Sequence, residues 1–243
     1  MHATDNVIVG NGLAGNGGAW GANGGISLSS SPGCVIERNL LVGNAEGLNF
    51  REQNRTTPRI DAPANTPEER IWNHDQTVRN NVMAGNLNAQ MRGWFDVGDE
   101  RMWPKAMQEN KVAGVEAAKP KADIALGYGA KDNVGEPKNL SLEALNLNLS
   151  NNLYAPSDAG ALWAWGTEWK RHKKYENLED VRRELKLEQG SIVAPFTFGN
   201  YLTRDFRVFA NTPALGMKAY PRGEVPGVLL GTAGDGFANG ARF

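Results

Sequence analysis

Four carboxylates and an imidazole, Glu52, His74, Asp75, Asp96 and Asp99, stand where the chain leaves short apolar runs. Arg51, Arg55, Arg92, Trp94, Arg101 and Trp103 lie beside them in sequence. A glycosidic bond is hydrolysed between two carboxyl groups, at about 5–5.5 Å apart with retention and about 6.5–9.5 Å with inversion. Glu52 and Asp96 are the leading pair, with Asp99 and Asp75 as substitutes. β-Elimination on a uronic acid instead needs a base titrating near neutrality and a cation facing the enolate. His74 with Arg51 or Arg55 suits that chemistry, with Ca²⁺ held by carboxylates if the protein is a lyase and no cofactor otherwise. The carboxylates are several, so hydrolysis is slightly preferred. Tryptophan offers a flat amphipathic face to a sugar ring, and arginine forks pair with carboxylate or sulfate. Charged loops are also an ordinary surface feature, and arginine–aspartate pairs often do no more than pin a loop.

The elements that position these groups are read from a repeat. "CVIERNLLVGN" at 34–44 aligns without gaps with "NVIVGNGLAGN" at 6–16 and "QTVRNNVMAGN" at 76–86, and in part with "LSNNLYA" at 149–155. In this frame Ile8, Ile36 and Val78 share one apolar column, and Leu13, Leu41, Met83 and Tyr154 share the next. Asn11, Asn39, Asn81 and Asn152 occupy one polar column; Asn16, Asn44 and Asn86 occupy another. Apolar runs of three to five residues broken by Gly and Asn are strands and tight corners. An inward asparagine, with one acceptor and two donors, can bond to its counterpart one level away and build a ladder. A further strand follows each unit: "GGISLS" at 24–29, "EGLNFR" at 46–51 and "NAQMRGWF" at 88–95. Strand–corner repeats that keep their inward positions predict a parallel β-helix.

Spacing locates the surplus residues. Asn11 to Asn39 is 28 residues, Asn39 to Asn81 is 42 and Asn81 to Asn152 is 71. Both large insertions begin after the same strand, at Arg51 and near Phe95, so their loops are expected side by side, where repeat proteins bind their partners. Further on, Asn177 caps a helix whose first turn holds Glu179 and Asp180, with Leu178, Val181 and Leu185 on one face. "DFRVFANTPAL" at 205–215 is expected to return as a last strand and turn.

These motifs, over 5–98 and 145–232, resemble the C-terminal half of the right-handed parallel β-helix proteins of the pectate-lyase-like superfamily. The likeness is to bacterial members found alongside polysaccharide-degrading enzymes. The tail "YENLEDVRRELKLEQGSIVAPFTF…TRDFRVFANTPALGMKAY" is similar to the closing helix and Asp-Phe-Arg segment of that family. The resemblance implies an all-β, right-handed parallel β-helix (solenoid) with long corner loops and a short C-terminal helix. It implies a single domain over 1–243, with a long insertion at 96–145 and a flexible tail at 233–243. It also implies a polysaccharide or oligosaccharide partner and an extracytoplasmic setting, periplasmic or secreted. A non-catalytic glycan-binding or structural surface module is the alternative, since the family includes members without catalysis. The first repeat starts with nothing ahead to cover it, so upstream coils of a longer parent chain are expected.

Composition sets outer limits. The chain has 243 residues, a net charge of −1 and one cysteine. Near-neutral charge argues against a basic nucleic-acid face, and a lone cysteine excludes an internal disulfide. Cys34, inside a repeat, reads as a buried small hydrophobe. No run reaches the length of a membrane span, and the first residues do not read as a secretory signal. "GNGLAGNGG" at 10–18 mimics a phosphate loop, but no helix follows it.

Overall fold

Apolar triplets separated by left-handed corners build the structure. The computed structural model describes residues 1–13, 24–52, 55–57, 60–66, 69–71, 73–95, 145–158, 160–167, 171–221, 230–231 and 241–242. A first sheet joins β1 (His2–Thr4), β4 (Val35–Glu37), β9 (Thr77–Arg79) and β12 (Asn148–Ser150), all parallel. A second joins β2 (Val7–Val9), β5 (Leu40–Val42), β10 (Val82–Ala84), β13 (Leu153–Ala155) and β16 (Ile192–Val193), again parallel. The third joins β3 (Gly24–Ser29), β6 (Glu46–Glu52), β11 (Ala89–Phe95) and β14 (Ala161–Thr167) in parallel, then β15 (Arg171–Tyr175) antiparallel on its edge.

The expected all-β, single right-handed parallel β-helix is corrected by this arrangement. The described residues form five separate sheets, parallel, mixed and antiparallel, together with two helices. Besides β15, β7 (Arg55–Thr57) and β8 (Glu69–Ile71) form an antiparallel pair. β17 (Thr197–Asn200), β18 (Asp205–Val208) and β19 (Ala241–Arg242) form another antiparallel sheet. Helix α1 spans Leu178–Leu185 and α2 spans Pro213–Gly216. The strands outside the repeat, β7–β8, β15 and β17–β19, are the ones that pair antiparallel.

The register of the first repeat is also corrected. Ala3 lies beside Ile36, and Ile8 beside Leu41, so the first unit is residues 1–11 rather than 6–16. Asn-x₄-Asn fits both frames, because asparagines stand at 6, 11 and 16. Burial decides between them: Val7, Ile8 and Val9 match Leu40–Val42, whereas Leu13 is 47% exposed.

Two asparagine ladders follow from that register. The main-chain N and Nδ2 of Asn6 both donate to Asn39 Oδ1, at 3.1 and 2.9 Å. Asn39 repeats this on Asn81 (2.9 and 3.0 Å), and Asn81 on Asn152 (3.0 and 3.1 Å). The second ladder runs Asn11 to Asn44 to Asn86 and ends on Gln90 Oε1. The left-handed residue is the one before each ladder asparagine. Asp5, Arg38, Asn80 and Asn151 have φ of 56, 51, 56 and 52°. In the second ladder Gly10, Gly43 and Gly85 hold that place at 69, 59 and 60°, where a missing Cβ removes the steric cost. Each corner is thus a left-handed residue followed by an inward amide.

Alternate residues of all three sheets meet in one core containing Ile36, Leu41, Leu48, Phe50, Met83, Met91 and Tyr154. Cys34 is buried with them, as its place in the repeat suggested. Trp163 and Trp165 stack with ring centroids 5.5 Å apart. Trp165 lies against Gly93, where an added Cβ would stand 2.2 Å from its Cε3. Helix α1 buries Leu178, Val181 and Leu185 on this core, and Asn177 Oδ1 caps it by accepting from Asp180 N at 2.9 Å. A second core forms where Phe196, Phe198, Phe206, Val208 and Tyr220 cover the other face of the second sheet at Leu40, Val42, Val82 and Leu153. "DFRVFANTPAL" therefore supplies a strand, as expected, followed by helix α2. Of the tail at 233–243, Ala241–Arg242 pair with Thr197–Phe198, and the other residues lie outside the described set.

Glu188 terminates the first ladder. Asn152 N donates to Ser191 Oγ at 2.8 Å, and Asn152 Nδ2 lies 3.2 Å from Glu188 Oε2. Tyr154 OH donates to Glu188 Oε1 at 2.9 Å, and Ser191 Oγ donates to Oε2. Burial pushes the Glu188 carboxyl pKa up, against the pull of those hydrogen bonds and of the Arg182 charge. The folded state thus favours the protonated acid. Its contribution to stability is complete below the unfolded value of about 4.3 and is lost as pH rises through the raised folded value. Relative to the parent, Glu188→Gln, which cannot ionise, is expected to gain stability as pH is raised from about 5 to about 8. Urea unfolding of both proteins across that range checks the sign.

Candidate functional site

The third sheet turns Leu48, Phe50, Met91, Trp163 and Trp165 into the core, so the intervening positions face the other way. Register lines these up in two outward rows. One row is Ser27, Asn49, Arg92, Ala164 and Lys174; the next is Ser29, Arg51, Trp94, Gly166 and His172. Neighbours within a row are one strand spacing apart, about 4.8 Å. Arg51, Arg92 and Trp94, three of the residues singled out for binding, are therefore brought to one part of the fold.

Their environments differ. Arg92 is buried, and its Nη1 lies 2.5 Å from Glu46 Oε1. Asn49 Nδ2 donates to Glu46 Oε2 at 2.7 Å, so both carboxylate oxygens are engaged. Asn49 and Arg92, in the middle of the first row, thus form a buried polar cluster with Glu46. Arg51 is half-buried, while Ser27 and Lys174 are exposed. Glu46 and Asn49 were not read as site residues. Their signal was a polar residue between Leu48 and Phe50 with a carboxylate three positions earlier.

β6 and β11 stop at the same end of this sheet. Glu52 ends β6, Phe95 ends β11, and the two are Cα partners. Asn73 ties the return of the first excursion to the sheet. Its Nδ2 donates to Leu28 O at 3.1 Å and Arg51 O at 2.9 Å, and its Oδ1 accepts from Ser31 N at 2.9 Å. Sequence reasoning missed this clamp. Arg55 begins β7, opposite Ile71. The side chains of Glu52, Arg55 and Trp94 lie outside the described residues, as do Asp96, Asp99, Arg101 and Trp103 altogether.

His74 and Asp75 do come together. His74 Nδ1 is 2.7 Å from Asp75 Oδ2, and Asn146 Nδ2 donates to Asp75 Oδ1 at 2.5 Å. Hydrogen bonds from Asn146 and then His74 hold the Asp75 carboxyl below its ordinary range. An ionised carboxylate only accepts, so Nδ1 of His74 carries the proton. Among the described residues, no three His, Cys, Asp or Glu side chains gather around a common point as metal ligands. No described helix is long and apolar enough to cross a membrane.

No family model, curated protein or solved structure matches this chain. The resemblance to the pectate-lyase-like superfamily thus rests on the sequence motifs alone.

Proposed function

We propose that this protein binds an acidic polysaccharide along the Ser29–Arg51–Trp94 row of its third sheet. The carrying observation is the register that sets Ser29, Arg51 and Trp94 in one row. The Arg51 guanidinium suits a polymer that carries carboxylate or sulfate. Tryptophan at the Arg51 register position supplies the ring type that stacks on sugars. Glu46, the buried carboxylate near this row, is already neutralised by Arg92 and accepts a hydrogen bond from Asn49. Such a polymer implies an extracytoplasmic workplace.

A second reading, glycosidic cleavage with hydrolysis ahead of β-elimination, is favoured by the Glu52–Phe95 pairing. That pairing starts both carboxylate-bearing excursions side by side. One experiment tests both readings: affinity electrophoresis against acidic and neutral polysaccharides, with reducing ends and unsaturated-uronate absorbance followed on the same panel. Acidic polymers alone should retard the protein, more weakly at high salt. Arg51→Ala should weaken that binding about tenfold, the loss of one charge-assisted contact. Equal retardation by neutral polymers, or none by any acidic one, defeats the binding reading. Product formation abolished by Glu52→Gln establishes cleavage.

A further inference from the structure

The row that ends at Lys174 runs into a cleft of about 280 Å³ between the β13–β14 connection and β15. Its walls include Pro156, Ser157, Gly160, Leu162, Lys174 and Glu176. We infer that this cleft is an end subsite for a single uronate ring, Lys174 receiving the ring's carboxylate and Glu176 its hydroxyls. The inference rests on the acidic-polysaccharide reading and adds to it where the chain end sits and which charge selects it.

Three observations carry it. First, the cleft is small. Ligand pockets span about 300–1,000 Å³, so this volume suits one ring and not a length of chain. Second, its floor is fixed. Ser157 Oγ accepts from Gly160 N at 3.1 Å and lies 3.4 Å from Asn86 O, and a Cβ on Gly160 would stand 2.4 Å from that same oxygen. A glycine is needed for the chain to pass so close to the corner of the second ladder. Third, the two charges at the mouth are uncommitted. Lys174 and Glu176 are both exposed, and among the described residues neither has an ion-pair partner. The adjacent Lys173 is different: its Nζ is held 2.6 Å from Glu184 Oε2. A cation and an anion facing one ring-sized space match a sugar that carries a carboxylate and several hydroxyls. A neutral sugar would leave the ammonium without a partner.

The test uses the isotope-labelled full chain, titrated with glucuronate, galacturonate and glucose while the amide signals of Gly160, Ala161 and Leu162 are followed. Saturable shifts are expected with a uronate and not with glucose at equal concentration. Lys174→Ala should weaken uronate binding at least tenfold, and Glu176→Gln should weaken it without changing the preference for charge. Both residues are exposed, so the variants are expected to fold. Uronate shifts unchanged in Lys174→Ala, equal shifts with glucose, or no shift at these amides would overturn the inference. The two readings separate cleanly. If acidic polymers bind parent and Lys174→Ala equally, the subsite fails and the sheet-face reading stands. If uronate binds in a Lys174-dependent way while no acidic polymer is retained, the subsite stands and the sheet-face reading fails.

Discussion

Asn81→Ala is expected to lower the unfolding free energy by about 3–6 kcal/mol, the sum of several buried hydrogen-bonding groups each left unmet at about 1–3 kcal/mol. Asn81 is fully buried in mid-ladder. Its Oδ1 accepts from Asn39 N at 2.9 Å and Asn39 Nδ2 at 3.0 Å. Its Nδ2 donates to Ile36 O at 3.0 Å and lies 3.1 Å from Asn152 Oδ1. Alanine strands the Asn39 main-chain N–H and the Ile36 carbonyl in the core, where water cannot replace the amide. Asn6→Ala is the control. Asn6 makes the same contacts toward Asn39 but is exposed at the end of the ladder, so its loss should cost under about 1 kcal/mol. Glycine separates this account from a simple turn preference. The left-handed residue is Asn80, not Asn81, so Asn81→Gly should be at least as damaging as the alanine. Urea unfolding of the three variants reads these differences. A stable Asn81→Gly would mean that backbone geometry, not the side-chain amide, is what the repeat preserves.

The ladder was legible in the sequence because it obeys a local rule: an amide at a corner between two apolar triplets. The units at 34–44, 76–86 and 149–155 were aligned on that rule, and Val78–Leu149, Met83–Tyr154 and Asn81–Asn152 are neighbours as expected. The first unit was misplaced by five residues. Asn6, Asn11 and Asn16 are evenly spaced, and polar periodicity alone cannot choose between frames; the triplet Val7–Val9 could have. The single-helix architecture was read too far because repeat columns say nothing of residues outside them. β15 turns antiparallel onto β14, and the Phe196–Tyr220 segment builds a second core on the far face of the second sheet. Long-range packing of that kind leaves no periodic trace. The site was legible only in part. The shared origin of both excursions at Glu52 and Phe95 followed from spacing. The partners of Arg92, the clamp by Asn73 and the cleft at Lys174 depend on which strands become neighbours, and no short motif records that.

Arg92 shows the difference between a charge offered to a ligand and a charge consumed by the fold. Arg92→Met should destabilise the protein by about 3–5 kcal/mol, because removing one partner of a buried ion pair leaves the other uncompensated. Glu46 is 1% exposed, with Arg92 at 2.5 Å and Asn49 at 2.7 Å. Without the guanidinium only the amide remains to meet a full negative charge in the buried site. The double variant Glu46→Gln/Arg92→Met should recover most of the loss at neutral pH, since a neutral amide can still pair with Asn49 and methionine fills the space of the arginine stem. Denaturant unfolding of the two singles and the double completes a cycle whose coupling energy should be several kcal/mol and of compensating sign. Polysaccharide affinity should be nearly the same in the double variant and the parent, whereas Arg51→Ala should reduce it. That division follows from burial: the cation beneath the face holds the sheet together, and the half-exposed one beside it remains within reach of a ligand.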